Sequence, residues 1–231
     1  MNHWTKRTFL AAAAAALMGG GAAQAATYTY DFTTIFENAN NATLGSSSPY
    51  ATMKVTDTVD GVELIITSGL EAASEFIGGI WLNLVDNVPP LAASASKEAG
   101  SFALPTINYT PGNNQYSADG AGLFDLYIDF AQSEAGRFNG TTDSVRVFLE
   151  GLTSRSFNAL SQCNQGGGPG NCPQGSAMHI QGIGTADDSV WATGDGGRPP
   201  SEIPLPAAAW LLGSGLMAMG AIGRRRTKGR A

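Results

Sequence analysis

Val55-Thr56-Asp57-Thr58-Val59-Asp60-Gly61-Val62-Glu63-Leu64-Ile65-Ile66 places two runs of β-branched and aliphatic residues on either side of Asp60-Gly61. Both turn residues tolerate the positive φ angles of a type I′ turn, so the segment predicts a β-hairpin. A two-residue loop sets Val59 opposite Val62 and Val55 opposite Ile66. The apolar residues then share one face, with Asp57 as the exception.

Outward from this hairpin, short runs of the same kind recur between Gly, Asn, Asp, Ser and Pro. Strands are expected at 27–36, 80–85, 102–109, 123–130, 144–149, 156–160, 177–183 and 189–192. In 123–130, Phe124, Leu126, Ile128 and Phe130 alternate with Asp125, Tyr127 and Asp129, which predicts one buried face and one wet face. The one helical competitor is 91–99, through its alanines and Lys97-Glu98. Short strands separated by turns predict an all-β domain over 26–194, an antiparallel β-sandwich of jelly-roll-like type. Glycine and proline then make 195–202 a flexible linker.

The two ends read differently from this middle. Lys6 and Arg7 precede an apolar run over 9–18, and Ala23-Gln24-Ala25 supplies the small residues that signal peptidase requires. Residues 1–25 are therefore expected to be a signal peptide delivered through the Sec translocon and cut between Ala25 and Ala26. At the other end, Ile203-Pro204-Leu205-Pro206-Ala207 leads into an apolar run over 207–223, followed by Arg224, Arg225 and Arg226 within a basic end at 224–231. Seventeen helical residues span about 25 Å, enough for a thin or compressed bilayer. The arginines hold the cytoplasmic side, so the domain before the span lies outside the inner membrane.

The order of Pro-Leu-Pro-Ala motif, short transmembrane segment and terminal arginines resembles the VPLPA variant of the PEP-CTERM sorting signal. Ile203 stands where that family usually has valine. The resemblance covers residues 203–231. It implies recognition by an exosortase, cleavage near the motif, transient anchoring in the inner membrane, and delivery to the cell surface or outside. Such proteins are associated with exopolysaccharide and biofilm matrix.

The net charge of −6 averages these segments. Residues 26–202 hold all 19 acids and 6 of the 13 bases, a formal charge of −13. That surface repels phosphate backbones and excludes nucleic acid as a partner. Cys163 and Cys172 are the two cysteines, and export puts them in an oxidising compartment where a disulfide is expected. Closing so short a loop contributes about 2–3 kcal/mol on the chain-entropy model. A metal site from both cysteines and His179 is the alternative, although the spacing matches no standard zinc pattern.

Catalytic signals are sparse. His179 is the histidine left after signal removal, and no Gly-x-Ser-x-Gly elbow accompanies it. Glu150, Asp125 and Asp129 are the acids nominated for a carboxylate pair, without a motif to single them out. The expectation is a non-enzymatic structural or interaction module without a cofactor. Asp119, Asp187, Asp188 and Asp195 lie in oxygen-rich loops that suit a hard cation such as Ca²⁺, although no Asp-x-Asp-x-Asp-Gly loop is present. Tyr109, Tyr116, Tyr127 and Trp191, read as exposed aromatics, could stack on sugars, which makes a carbohydrate-binding module the alternative and a secreted hydrolase a more distant one.

Overall fold

The computed structural model describes residues 27–38, 41–85, 89–110, 115–119, 121–157, 161, 174–184 and 188–196. Twelve strands lie among them. β1 (Thr27–Asn38), β2 (Ala51–Asp57) and β3 (Gly61–Ser68) form a meander, and β4 (Phe76–Leu82) and β5 (Ala93–Ala99) follow. Next come β6 (Thr106–Tyr109), β7 (Tyr116–Ala118), β8 (Gly122–Phe124) and β9 (Leu126–Asp129). β10 (Ser144–Glu150), β11 (Ser176–Ile183) and β12 (Asp188–Gly196) complete the series.

Ten strands make one antiparallel sheet in the order β5-β10-β3-β2-β1-β12-β11-β4-β9-β6, and β7 and β8 pair separately. The all-β, antiparallel expectation holds. In place of two sheets facing each other, a single sheet curls until it is nearly barrel-shaped, with its edge strands β5 and β6 side by side. Alternation with period two reports one buried face, and a rolled sheet satisfies it as well as a sandwich does. Register shifts within β1–β12, β10–β5, β11–β12 and β11–β4 mark the irregularities that add local twist to the curl. The enclosed core draws on both halves of the sheet, including Phe32, Met53, Leu64, Ile80, Ile128, Val147 and Met178, all fully buried.

The β2–β3 hairpin forms, with its turn one residue earlier than expected. Asp57 faces Val62 and Val55 faces Leu64. Thr58 closes the loop, its N–H and its hydroxyl both donating to the Gly61 carbonyl at 2.8 and 2.9 Å. Val59 and Asp60 therefore form the tip, and neither Asp60 nor Gly61 adopts positive φ. Gly61 serves packing instead, since a Cβ there would sit 2.3 Å from the Leu149 carbonyl oxygen on β10. The two-residue change in pairing preserves the parity of each strand, so Met53, Val55, Val62, Leu64 and Ile66 still enter the core.

Three other expectations change. The 91–99 segment is the edge strand β5, paired along β10 from Ala93 opposite Leu149 to Ala99 opposite Ser144. Exposed edge strands carry polar and small residues, which is why this one imitates a helix. The 156–160 strand is replaced by a 3₁₀ turn, Ser154–Phe157. Asp57 accounts for that turn: its carboxylate accepts from the Ser154 N–H at 2.5 Å and from the Ser154 hydroxyl at 2.9 Å. From β1, the Tyr28 hydroxyl donates to the Ser154 carbonyl and the Tyr30 hydroxyl to Phe157 O at 3.0 Å. Burial raises both phenol pKa values, so each stays a neutral donor. Finally, 123–130 divides at Asp125, which is buried and accepts from the Leu84 N–H at 3.0 Å.

β1 and β12 are central neighbours, with Tyr30 opposite Gly196 and Asn38 opposite Val190. The chain thus enters and leaves the barrel at one end, termed the entry end. β12 continues through Asp195 and Gly196, the first two residues of the expected linker. The 58–61 turn, the 3₁₀ turn and the start of β5 share that end. The segments 69–75 and 139–143 lie at the far end.

Candidate functional site: an aromatic row on the outer face

β4 reads Phe76-Ile77-Gly78-Gly79-Ile80-Trp81-Leu82, and all of it is buried. Ile80 and Leu82 point into the barrel while Trp81 points out. Register places Trp81 opposite Tyr127 on β9 and Ala177 on β11, and His179 opposite Trp191 on β12. The outward side chains of these strands therefore form a row across the sheet. Trp81 stacks on Tyr127 at 4.3 Å and 20°, and meets Trp191 at 4.8 Å and 55°. His179 lies flat on Trp191 at 4.3 Å and 12°. Phe36 and Tyr116 extend the row at 6.5 Å from Trp191 and 6.0 Å from Tyr127.

Gly79 permits this stack. A Cβ there would lie 2.5 Å from the Tyr127 ring and 2.9 Å from the Trp81 ring, so only bare backbone lets both rings lie down on the strand. Part of the row is roofed by the β7–β8 hairpin, which contributes Ala118, Ala121 and Phe124 to a second hydrophobic cluster. Ser161 pins the roof, its hydroxyl donating to the Ala121 carbonyl at 2.5 Å. The Ser161 N–H donates to Gln174 O at 2.7 Å, and the Gln174 N–H to Ser161 Oγ at 2.8 Å, so the flanks of 162–173 meet there.

His179 is half-buried. Burial lowers its pKa to about 4, against a smaller opposing pull from Asp119, so the imidazole is neutral at ordinary pH. The Tyr127 hydroxyl donates to Asp129 at 2.7 Å, and burial followed by that carboxylate raises its pKa. Gln181 lies over Gly78, and its Oε1 is buried without a partner.

The structure distributes the nominated residues widely. Asp125 packs against β4, Asp129 pairs with Tyr127, and Glu150 ends β10 at the entry end. Asp119 is exposed beside the roof, and Asp188 begins β12. Among the described residues no group of three or more His, Cys, Asp or Glu is placed to hold a metal ion. Trp191 is 9 % exposed, which corrects its reading as a surface aromatic; Tyr109, Tyr116 and Tyr127 are half-buried. Ala23, Ala25, Ala26, Cys163, Cys172, Asp187, Ile203, Pro204, Leu205, Pro206, Ala207, Arg224, Arg225 and Arg226 lie outside the described residues.

Sequence reasoning did not single out Trp81 or Phe36. The available signal was Gly78-Gly79 two residues before a tryptophan inside a strand, where glycine marks a close approach. Comparison with known proteins gives no match: no family model, no curated protein and no solved structure is similar to this chain.

Proposed function

We propose that the chain is an exported envelope or extracellular-matrix protein whose β-barrel-like domain is a structural or interaction module without a catalytic site. In this reading signal peptidase removes residues 1–25 after passage through the Sec translocon. Residues 203–231 hold the precursor in the inner membrane until an exosortase cuts near Ile203-Pro204-Leu205-Pro206-Ala207. The released domain then joins the exopolysaccharide-rich matrix. One observation supports the division most: the described strands, from Thr27 in β1 to Gly196 in β12, pair with one another, ten of them in one sheet. β1 begins at Thr27, two residues after the expected cut, and β12 ends at Gly196, before the sorting motif. Replacing Pro204 and Pro206 by alanine tests the sorting step; the expected outcome is full-length precursor retained in the inner membrane, and undiminished release contradicts it.

A second reading, polysaccharide binding, is supported by the outward row. Phe36, Tyr116, Tyr127 and His179 remain half-buried, with Asp119 and Asp129 nearby as polar partners for sugar hydroxyls. Trp191 is a poor stacking candidate because His179 covers its face. Saturable binding of the native exopolysaccharide that Tyr127→Ala abolishes, with the fold retained, would favour this reading. Undiminished binding would remove it.

A further inference from the structure

Among the described residues, three large hydrophobic side chains are exposed: Val59 at 100 %, Leu91 at 77 % and Leu104 at 48 %. The two most exposed share the entry end and flank Gly151. The Gly151 N–H donates to the Asp60 carbonyl at 2.9 Å, and the Leu91 N–H donates to Glu150 O at 2.9 Å. Leu91 Cγ lies 3.0 Å from where a Gly151 Cβ would sit. Val59, next to Asp60, and Leu91 therefore both lie at the entry end, where β12 ends at Gly196.

Chain length restricts which part of the domain can meet the bilayer. The ten residues 197–206 reach at most about 35 Å when extended. The nine residues of β12 alone cover about 30 Å. Bringing the far end down to the membrane would use nearly the whole tether to retrace the barrel, whereas β12 ends at the entry end. Asp60 and Glu150 flank the apolar pair and disfavour an anionic lipid surface.

We propose that, while the precursor is anchored, the entry end rests on a zwitterionic phospholipid surface through Val59 and Leu91. The contact holds the segment before the span close to the membrane surface. It rests on the sorting-tail reading above, and its test separates the two.

The full chain would be reconstituted into phosphatidylcholine vesicles, scored for flotation, and followed by hydrogen exchange. The expected result is flotation, with exchange at 58–61 and 91–93 slowed by about fivefold or more relative to detergent, and 69–75 at the far end unchanged. Val59→Asp combined with Leu91→Asp, both at exposed positions, should still float but lose the slowing. Flotation with equal exchange at both ends overturns the docking proposal alone. A chain that fails to float overturns the tail reading and the docking proposal with it. Protection that persists in the double variant assigns the contact to something other than these side chains and also overturns the proposal.

Discussion

The interior of the barrel and the aromatic row on its outer face are built from the same strands by the same alternation, yet they are held together differently. The interior is aliphatic and phenylalanine-rich, drawn from both halves of the sheet and fully enclosed. The outer cluster depends on a few aromatic rings, a bare glycine and a three-residue-stranded hairpin roof. A strand such as β4 serves both at once, through Ile80 inward and Trp81 outward. Burial of both faces is therefore not evidence for a parallel sheet; a small local cover achieves it in an antiparallel one.

The largest expected effect lies inside. Phe32→Ala removes a fully buried ring and should cost about 3–5 kcal/mol in chemical denaturation, lowering the midpoint of the whole domain. A cost under about 1 kcal/mol would mean that the interior is loosely packed around this ring. Next comes Gly79→Ala, which forces the Trp81 and Tyr127 rings off the strand. It should cost about 1–3 kcal/mol and diminish the near-ultraviolet circular dichroism of the aromatic stack. An unchanged spectrum would show that the outer row tolerates rearrangement.

His179 gives a smaller, pH-dependent difference between the two regions. The unfolded chain takes up its proton near 6.5 and the folded chain only near about 4. Its contribution is fully present above pH 6.5, falls as the pH drops through that window, and levels off below about 4. His179→Gln should flatten that part of the stability profile; the same slope in both proteins would assign it to other groups. The smallest effect is expected at Val59→Ser, where the side chain is fully exposed, with a change within about 0.5 kcal/mol.

The same contrast explains what the sequence made legible. Inward faces with steady alternation, as in β3 (Gly61–Ser68) and β10 (Ser144–Glu150), are found directly. β5 is not, because a solvent-exposed edge strand built from alanine, serine, lysine and glutamate gets its structure from β10 and lacks an apolar stripe of its own. The 123–130 run shows a different limit. Phe124 joins the outer cluster while Leu126 and Ile128 join the inner one, and Tyr127 packs in the outer row where a wet face was expected. Period-two alternation fixes which residues share a side only within an unbroken strand, and this run breaks at Asp125; it does not fix what covers that side. Asp57 was the odd residue on its face because its partner, Ser154, is 97 positions away in sequence. The aromatic row was only half legible for the same reason: Trp81, Trp191 and Tyr127 meet through register across β4, β11, β12 and β9.

The central claim is that the folded domain works without the hydrophobic segments on either side of it. Intact-mass measurement of the protein recovered from the cell surface or culture medium tests it most directly. The expected species begins at Ala26 and lacks everything after about Pro206, in keeping with signal-peptide processing and the sorting motif. Recovery of a folded cytosolic chain still carrying Met1 and Ala231 would contradict it.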